Sequence, residues 1–591
     1  MSINEKLKEL RSLMEKNNID VYIVPTADPH QSEYVADYYK TREFITGFTG
    51  SQGTAVITKE VALLWADGRY FIQAEKQIEN TEFKLMKMAT PGYPSMIEWL
   101  QEYLQDNHVV GFDGKLISQR LFENIKNANE GKNITYKKDN DLIGEIWTNR
   151  PELPKTKVFL HDIEYTGLST KEKIKQVREI MSKDNIDYFV IGSLDDIAWL
   201  YNIRGRDIES NPVTISYALI SNEEAVLYID EEKLTKDVIN KLNLDEVLIK
   251  GYEDIKKDLE DITNAKVALN KTRINSWIFE SLNENLEIID QIDITTNLKA
   301  IKNETEIKNQ KNAYIKDGVA MTKLFYWIDK NIESGIVTEL SAEEKLEEIR
   351  KDMDKYIEPS FASISAYKEN AAMMHYKATE DSFSVLEKKG MYLLDAGGQY
   401  LDGTTDTTRT IACGELTDEE MKDFTLTLKG HINLISAKFL KGTTGYVLDG
   451  ICRYPLWKHG SDYKCGTGHG VGYLLNVHEG PHSISPRYID VPLEEGMVVT
   501  IEPGVYKTGK HGIRIENVVA VKKDIFTDSG QFLSFEVLSF VPIDLNCIDK
   551  NLLYEDEKQW LNSYHDEVYE KLSPYLSEDE KIWLKEKTKD I

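Results

Sequence analysis

The chain has 591 residues, too many for one hydrophobic core, so two to four domains are expected. Apolar residues make up 41% and are mixed with charged positions throughout, which excludes a disordered chain. Asp plus Glu number 100 against 72 Lys plus Arg, a net charge of −28. Such a surface repels phosphate backbones and anionic lipids and argues against nucleic acid or membrane as a partner.

The first ten residues are polar and enter an amphipathic helix without an apolar secretory core, so a cytoplasmic protein is expected. No run of about 18 apolar residues occurs, so no spanning helix is expected. The four cysteines, Cys413, Cys452, Cys465 and Cys547, are read as free thiols rather than two disulfides.

A helical stretch opens at Glu5-Lys6, passes through Met14, and leads into the apolar run Val21–Val24. A second opens at Glu172-Lys173, passes through Met181, and leads into Tyr188–Ile191. The three landmarks fall at one constant offset. Strand-like runs follow each: Thr54–Ile57 and Val61–Trp65 in the first, Ser216–Ile220 and Ala225–Tyr228 in the second. The reading is two related α/β modules; the alternative is a chance likeness of two helix–strand units.

Residues 1–154 and 155–310 are therefore expected as α/β domains I and II, parted at the proline-punctuated segment 150–154. Residues 311–591 are expected as a third domain. A long charged helix beginning near Lys302–Glu306 and reaching about residue 330 leads into it, and a polar, Trp-containing helical tail from about 555 closes it.

The third domain carries five candidate ligands. Leu393–Gly397 reads as a strand ending on Asp395, Asp402-Gly403 as a hairpin turn, and Thr404–Thr410 as the returning strand bearing Asp406. The Gly-rich word 466–472 surrounds His469, letting the backbone approach closely and leaving the ring open to a site. His478 follows in Val477–Pro481. Val498–Gly504 reads as a strand ending on Glu502 before a Pro-Gly turn. In Gly512–Val518, Arg514 and Glu516 fall on one face of a strand.

Four carboxylates and an imidazole suit Mn²⁺, Co²⁺ or Zn²⁺. They balance the charge of two divalent cations, which together activate a shared water. Singly, each feature is ordinary: an Asp before a turn is a turn or capping residue, Gly-His-Gly a loop, Glu-Pro-Gly a surface turn. Five in order within one domain point to a metal site.

The ordered set Asp395, Asp406, His469, Glu502, Glu516, with its flanking words, resembles the pita-bread metallopeptidases, a group that includes methionine aminopeptidase, prolidase, creatinase and aminopeptidase P. The long, three-domain, cytosolic form of aminopeptidase P is the nearer likeness and covers nearly the whole chain. Domain I carries Tyr22–Thr26, His30–Tyr34 and Asp67–Phe71; the third domain carries Met374–Tyr376, Asp402–Asp406, Gly466–Gly472 and Asn476–Pro481. The implied fold is α/β (α+β), two related creatinase-N-like domains followed by a pita-bread catalytic domain.

The resemblance implies that the five ligands hold two metals, Mn²⁺ first, with Co²⁺ or Zn²⁺ as alternatives. It implies hydrolysis of the bond between an N-terminal residue and a penultimate proline by a metal-bridging hydroxide. Glu502 would shuttle the proton. His478 would donate to the oxyanion, and His375 would line the site beside it. Arg69 would contact substrate, with His469 bordering the same site, and Tyr506 and Arg514 would support the proline pocket. Peptides with proline second are the implied partners, and a homodimer the implied assembly. Cys465 departs from the family's usual histidine at that position. The rival readings are a prolidase, a metal-free creatinase-like hydrolase, and a non-catalytic pita-bread domain that binds peptides.

Overall fold

The computed structural model describes residues 1–591, which form two compact units: residues 1–161 with 168–295, and residues 162–167 with 296–591. The first unit opens with helix α1 (Ile3–Lys16), started by a Ser2/Glu5 capping box that satisfies two orphan N–H groups. Leu7, Leu10 and Met14, one helical face, are buried under the first sheet. That sheet holds β1 (Val21–Pro25), β2 (Thr54–Thr58), β3 (Ala62–Ala66), β4 (Phe83–Lys87), β5 (Val109–Gly111) and β6 (Thr135–Lys137), in the order β4-β3-β2-β1-β5-β6.

Helix α2 (Thr170–Lys183) repeats α1, with a Ser169/Glu172 capping box and Ile174, Val177 and Met181 buried. A second six-stranded sheet follows: β7 (Tyr188–Ile191), β8 (Ser216–Ser221), β9 (Ala225–Ile229), β10 (Val247–Lys250), β11 (Lys266–Leu269) and β12 (Glu287–Asp290). Its order is β10-β9-β8-β7-β11-β12. The two sheets match strand for strand, down to which pairs are parallel: β3/β4 and β9/β10, β1/β5 and β7/β11, β5/β6 and β11/β12. The internal echo in the sequence is a repeated topology.

In the second unit, α3 (Glu304–Asn331) starts at an Asn303/Glu306 capping box, and α4 (Glu339–Lys351) follows. Three short strands, β13 (Tyr356–Pro359), β16 (Gly398–Tyr400) and β17 (Gly403–Thr404), form one sheet; β14 (Ile364–Tyr367), β15 (Met391–Ala396) and β18 (Thr407–Ala412) form another. Helices α5 (Asp418–Ile435) and α6 (Gly445–Trp457) come next. The large sheet comprises β19 (Phe439–Leu440), β20 (Gly468–Gly470), β21 (Glu479–Ile484), β22 (Val498–Ile501), β25 (Asn517–Thr527) and β26 (Gly530–Val537), ordered β19-β26-β25-β22-β20-β21. A hairpin of β23 (Gly504–Lys507) and β24 (His511–Arg514) is inserted between β22 and β25. The tail is α7 (Glu555–Leu572) and α8 (Glu578–Lys587). Its Leu561, Tyr564, Val568 and Leu572 pack with Phe424, Leu428 and Ile432 of α5 around Ile513 and Ile515. All four cysteines are free.

Two sequence expectations are corrected. Thr404–Thr410 is not one returning strand: Gly403-Thr404 pairs with β16, after a turn at Leu401-Asp402, whereas Thr407 onward pairs with β15. Thr405-Asp406 is the crossing between two sheets, its Thr405 N–H spent on the Gly398 carbonyl at 2.9 Å. Gly512–Val518 is likewise broken at Ile515-Glu516, where the chain leaves the β23/β24 hairpin for the large sheet. There Glu516 N–H donates to the Thr408 carbonyl at 3.1 Å. Local β propensity was right on either side of each break; which partner strand came next was not local information.

A buried ion pair joins these layers. Arg350 of α4 grips Asp317 of α3 at 2.8 and 3.0 Å and donates to the Gly397 carbonyl at 2.9 Å, while Tyr400 O–H donates to the same Asp317 at 3.0 Å. Both charged side chains are 1% exposed. Removing one partner strands the other charge in a dry interior. Asp317→Ala should therefore cost about 3–5 kcal/mol, read as a lower urea midpoint by tryptophan fluorescence; an unchanged midpoint would refute the pair's structural weight.

Candidate active site

The carboxylates stand where β ladders end. Asp395 is the penultimate residue of β15, and Glu502 follows β22 directly. Asp406 and Glu516 occupy the two sheet crossings, where the backbone is not committed to a ladder and a side chain can turn inward. His469 lies in β20 rather than a loop. There Gly468 permits the close approach of β22, since a Cβ at that position would sit 1.9 Å from the Thr500 carbonyl oxygen. Arg409, 1% exposed, donates to the backbone carbonyls of Thr408 and Val541 and to Tyr564 Oη, locking β18 to the tail.

These elements bring the donors together. Asp406, His469 and Glu516 each offer a ligand atom within 4.8 Å of the others. His469 Nε2 lies 3.5 Å from Asp406 Oδ2 and 3.5 Å from Glu502 Oε1, longer than a good N–H···O hydrogen bond. Its Nδ1 lies 2.9 Å from the Gly470 carbonyl; donation there leaves Nε2 facing the carboxylates, protonated in the imidazolium and offering a lone pair once the ring is neutral. Asp395 Oδ2 accepts from Arg514 Nη2 at 2.5 Å, while its Oδ1 is buried with no hydrogen-bond partner. An orphaned carboxylate oxygen, open gaps around a ring nitrogen, and an oxygen-rich donor set all fit divalent cations.

The electrostatics agree. Burial raises the Asp395 carboxyl, and Asp406 adds to this against the pull of Arg514. Burial also raises Glu502, opposed by His469 and Arg514. Glu516 goes well above the usual range through burial and then the charges of Asp406, Asp395 and Glu502. For His469, burial pulls down, but Asp406 and Glu502 outweigh it and hold the imidazolium to about 9. Without cations the site keeps protons to offset its own negative charge.

The other expected residues fall in several places. The His478 ring meets that of His469 edge-on, centroids 4.4 Å apart at 86°. Tyr506 Oη accepts from Arg514 Nη1 at 2.8 Å. His375 is half-buried in the loop after β14. Arg69 belongs to the first unit, where Asp67 holds its guanidinium through two hydrogen bonds of 2.9 and 2.8 Å. Cys465 packs beside Tyr506; burial, with Glu502 adding to it, pushes its thiol up to about 12, so it is not a thiolate nucleophile at neutral pH.

Two residues escaped the sequence reading. Thr408 Oγ1 donates to Glu516 Oε2 at 2.8 Å and accepts from Arg514 Nε at 3.1 Å. Thr500 Oγ1 accepts from His469 N–H at 3.0 Å and donates to Glu502 Oε1 at 3.2 Å. Each lies inside a run that reads from sequence simply as a strand. The usable signal was their spacing, two residues from Asp406 and from Glu502.

Family models agree with this architecture. One for the creatinase/prolidase N-terminal domain matches residues 6–138, and a second of the same description matches 149–306. Metallopeptidase family M24 matches 308–523, and the C-terminal region of that family 531–591. The chain is 42% identical over 615 residues to the probable Xaa-Pro aminopeptidase P of Paracoccidioides brasiliensis, covering 100% of this chain and 99% of that one. It is 42% identical over 612 residues to the protein of the same name from Talaromyces marneffei, covering 100% and 92%. Among solved structures, the X-prolyl aminopeptidase of Caenorhabditis elegans, described as a cytosolic enzyme with a di-nuclear active site, superposes with a TM-score of 0.95 at 36% identity over 100% of both chains.

The raised groups set a pH test. A carboxyl or imidazole raised in the folded state binds more protons folded than unfolded, so stability falls as pH rises. Metal-stripped protein should thus lose thermal stability progressively from about pH 4, the ordinary carboxylate range, up through the His469 value of about 9. Added Mn²⁺ should restore it at neutral pH. Differential scanning fluorimetry in chelator checks this; a flat or rising melting temperature across the window contradicts it.

Proposed function

The chain belongs to metallopeptidase family M24, on its aminopeptidase P branch, and from that premise we propose that it removes the first residue from peptides whose second residue is proline. Asp395, Asp406, His469, Glu502 and Glu516 would hold two divalent cations. The observation that carries this reading is the inward convergence of these donors around open gaps, with Asp395 Oδ1 unpartnered. Mn²⁺ is the proposed occupant, Co²⁺ and Zn²⁺ being compatible with the same donors.

Cations held by these five residues would supply a water of lowered pKa and a Lewis acid for the scissile carbonyl. Glu502 has one oxygen accepting from Thr500, and its other is free to take a proton from the attacking water and return it to the departing proline nitrogen. His478, against the His469 ring, donates an N–H to the carbonyl oxygen as its charge develops. His375 lines the same carbonyl. Tyr506 and Arg514, tied by a hydrogen bond, wall the proline ring. That ring has a fixed φ and its nitrogen carries no N–H, so a closed pocket suits it better than a strand-like cradle. Arg69 is proposed as a further substrate contact.

A cytoplasmic setting without a nucleic-acid partner is proposed from charge and thiols: a charge of −28 disfavours nucleic acid, and four free thiols suit a reducing compartment. No helix is long and apolar enough to cross a membrane. Helix α6 leaves Val447, Ile451, Tyr454 and Trp457 from 37% to 60% exposed, with Tyr446 against Tyr488 beside them. An apolar face of that kind calls for a cover, and a second copy of the chain is the proposed one.

Purified protein with Mn²⁺ should release Ala from Ala-Pro-Pro, and chelator should abolish release. Asp406→Ala and Glu516→Ala should each lower turnover more than about 100-fold, beyond the usual cost of disturbing a ligand's supporting partner. Cleavage of Ala-Pro alone would mark a dipeptidase, and a metal-free inactive protein a peptide binder. Light scattering should find a dimer that Ile451→Asp with Tyr454→Asp converts to monomer; an unaffected dimer would move the interface elsewhere.

A further inference from the structure

Glu339 is the first residue of α4, a position beside a helix N-terminus where an acid is ordinarily solvated. It is instead 0% exposed. A buried carboxylate is tolerated only when other groups satisfy it, and here its hydrogen-bond partners carry no positive charge. Tyr367 N–H donates to Oε1 at 2.7 Å; Asn370 Nδ2 reaches Oε1 at 3.0 Å and Oε2 at 3.3 Å. Ser384 N–H donates to Oε2 at 2.7 Å and Tyr376 O–H at 2.9 Å.

All of these donors come from one segment, residues 367–384, which runs from the end of β14 through a short helical turn (Lys368–Ala372) into the loop that bears His375. Tyr376 is the neighbour of His375. Asn370 Nδ2 also reaches Tyr376 Oη at 3.1 Å and Ser384 Oγ at 3.0 Å, so the donors are linked to one another as well as to the carboxylate. The opposite side of the segment rests on β24, the strand that carries Arg514. A Cβ at Gly512 would lie 1.8 Å from the Ala371 carbonyl oxygen, which leaves no slack there. The loop is thus clamped between a wall of backbone and a single carboxylate.

We propose that Glu339 is the positioning residue for His375: it gathers the 367–384 segment and fixes where the imidazole stands. This rests on the reading of His375 as a substrate contact. Every partner of the Glu339 carboxylate is a donor, so its shape-matched amide places an NH₂ among N–H and O–H groups and breaks the gathering without changing volume. A displacement of about 1 Å in a catalytic group costs on the order of 100-fold in rate.

The test measures kcat and KM for Ala-Pro-Pro with the Mn²⁺-loaded full chain, together with bound metal and melting temperature. The variants are Glu339→Gln, Tyr376→Phe, His375→Ala and the doubles that combine each of the first two with His375→Ala. Glu339→Gln should lower kcat/KM by about 10- to 100-fold with metal content unchanged, and should cost little more once His375 is already Ala. Tyr376→Phe, which deletes the hydroxyl's bonds to Glu339, Asn370 and the Ser382 carbonyl and leaves the other donors to the carboxylate in place, should show the same non-additivity at smaller size and carries the test if Glu339→Gln does not fold. A full additional loss on the His375→Ala background, or normal kcat/KM in both single variants, overturns the proposal. His375→Ala with parental activity would overturn the assignment of His375 itself. His375→Ala impaired beside a normal Glu339→Gln removes only the role given to Glu339.

Discussion

Four carboxylates held around one imidazole in a buried place repel each other, and the second unit is organised around that repulsion. Burial limits solvent screening, and one arginine faces the set directly, Arg514 on Asp395. Hydroxyls do part of the work: Thr408 and Thr500 each link a donor of the set to a neighbour. In the proposed reading the rest would fall to bound cations: the cluster would hold its full negative charge only when loaded, so that fold and chemistry would pose the same electrostatic problem and share its solution.

Rigidity follows from where the donors sit. Asp395 and Glu502 close ladders, and His469 is inside one. Asp406 and Glu516 stand at crossings, where backbone groups are satisfied by Gly398 and Thr408 rather than by a regular partner. Ladders give precision, and crossings give freedom of direction. Arg409, bonded to the carbonyls of Thr408, Glu516 and Val541, and the packing of α5 and α7 around Ile513 and Ile515 prevent that freedom from becoming motion.

Much of this was legible in the amino acids. The repeat was readable because capping residues and helical spacing are local, and Ser2/Glu5 and Ser169/Glu172 mark equal starting points. The five donors were readable because glycines and strand ends isolate them. The strand breaks at Asp406 and Glu516 were not, since a threonine run or an alternating run looks continuous until its partner is known. Thr408 was hidden by its own β propensity. Glu339 was hidden by its position, since an acid in a first turn is ordinarily solvated. The Asp67–Arg69 pairing was concealed inside a word that was itself recognised.

The spread of the donors along the chain has a consequence for biogenesis. They run from residue 395 to 516 and depend on three separate sheets, so loop-closure entropy must be met before any two metals could be held together. An emerging polypeptide offers at most scattered acids with weak, unselective affinity. At the proposed metal site, ion capture would therefore follow closure of the topology, and the ion would be drawn from the pool surrounding the finished fold rather than from that at the ribosome.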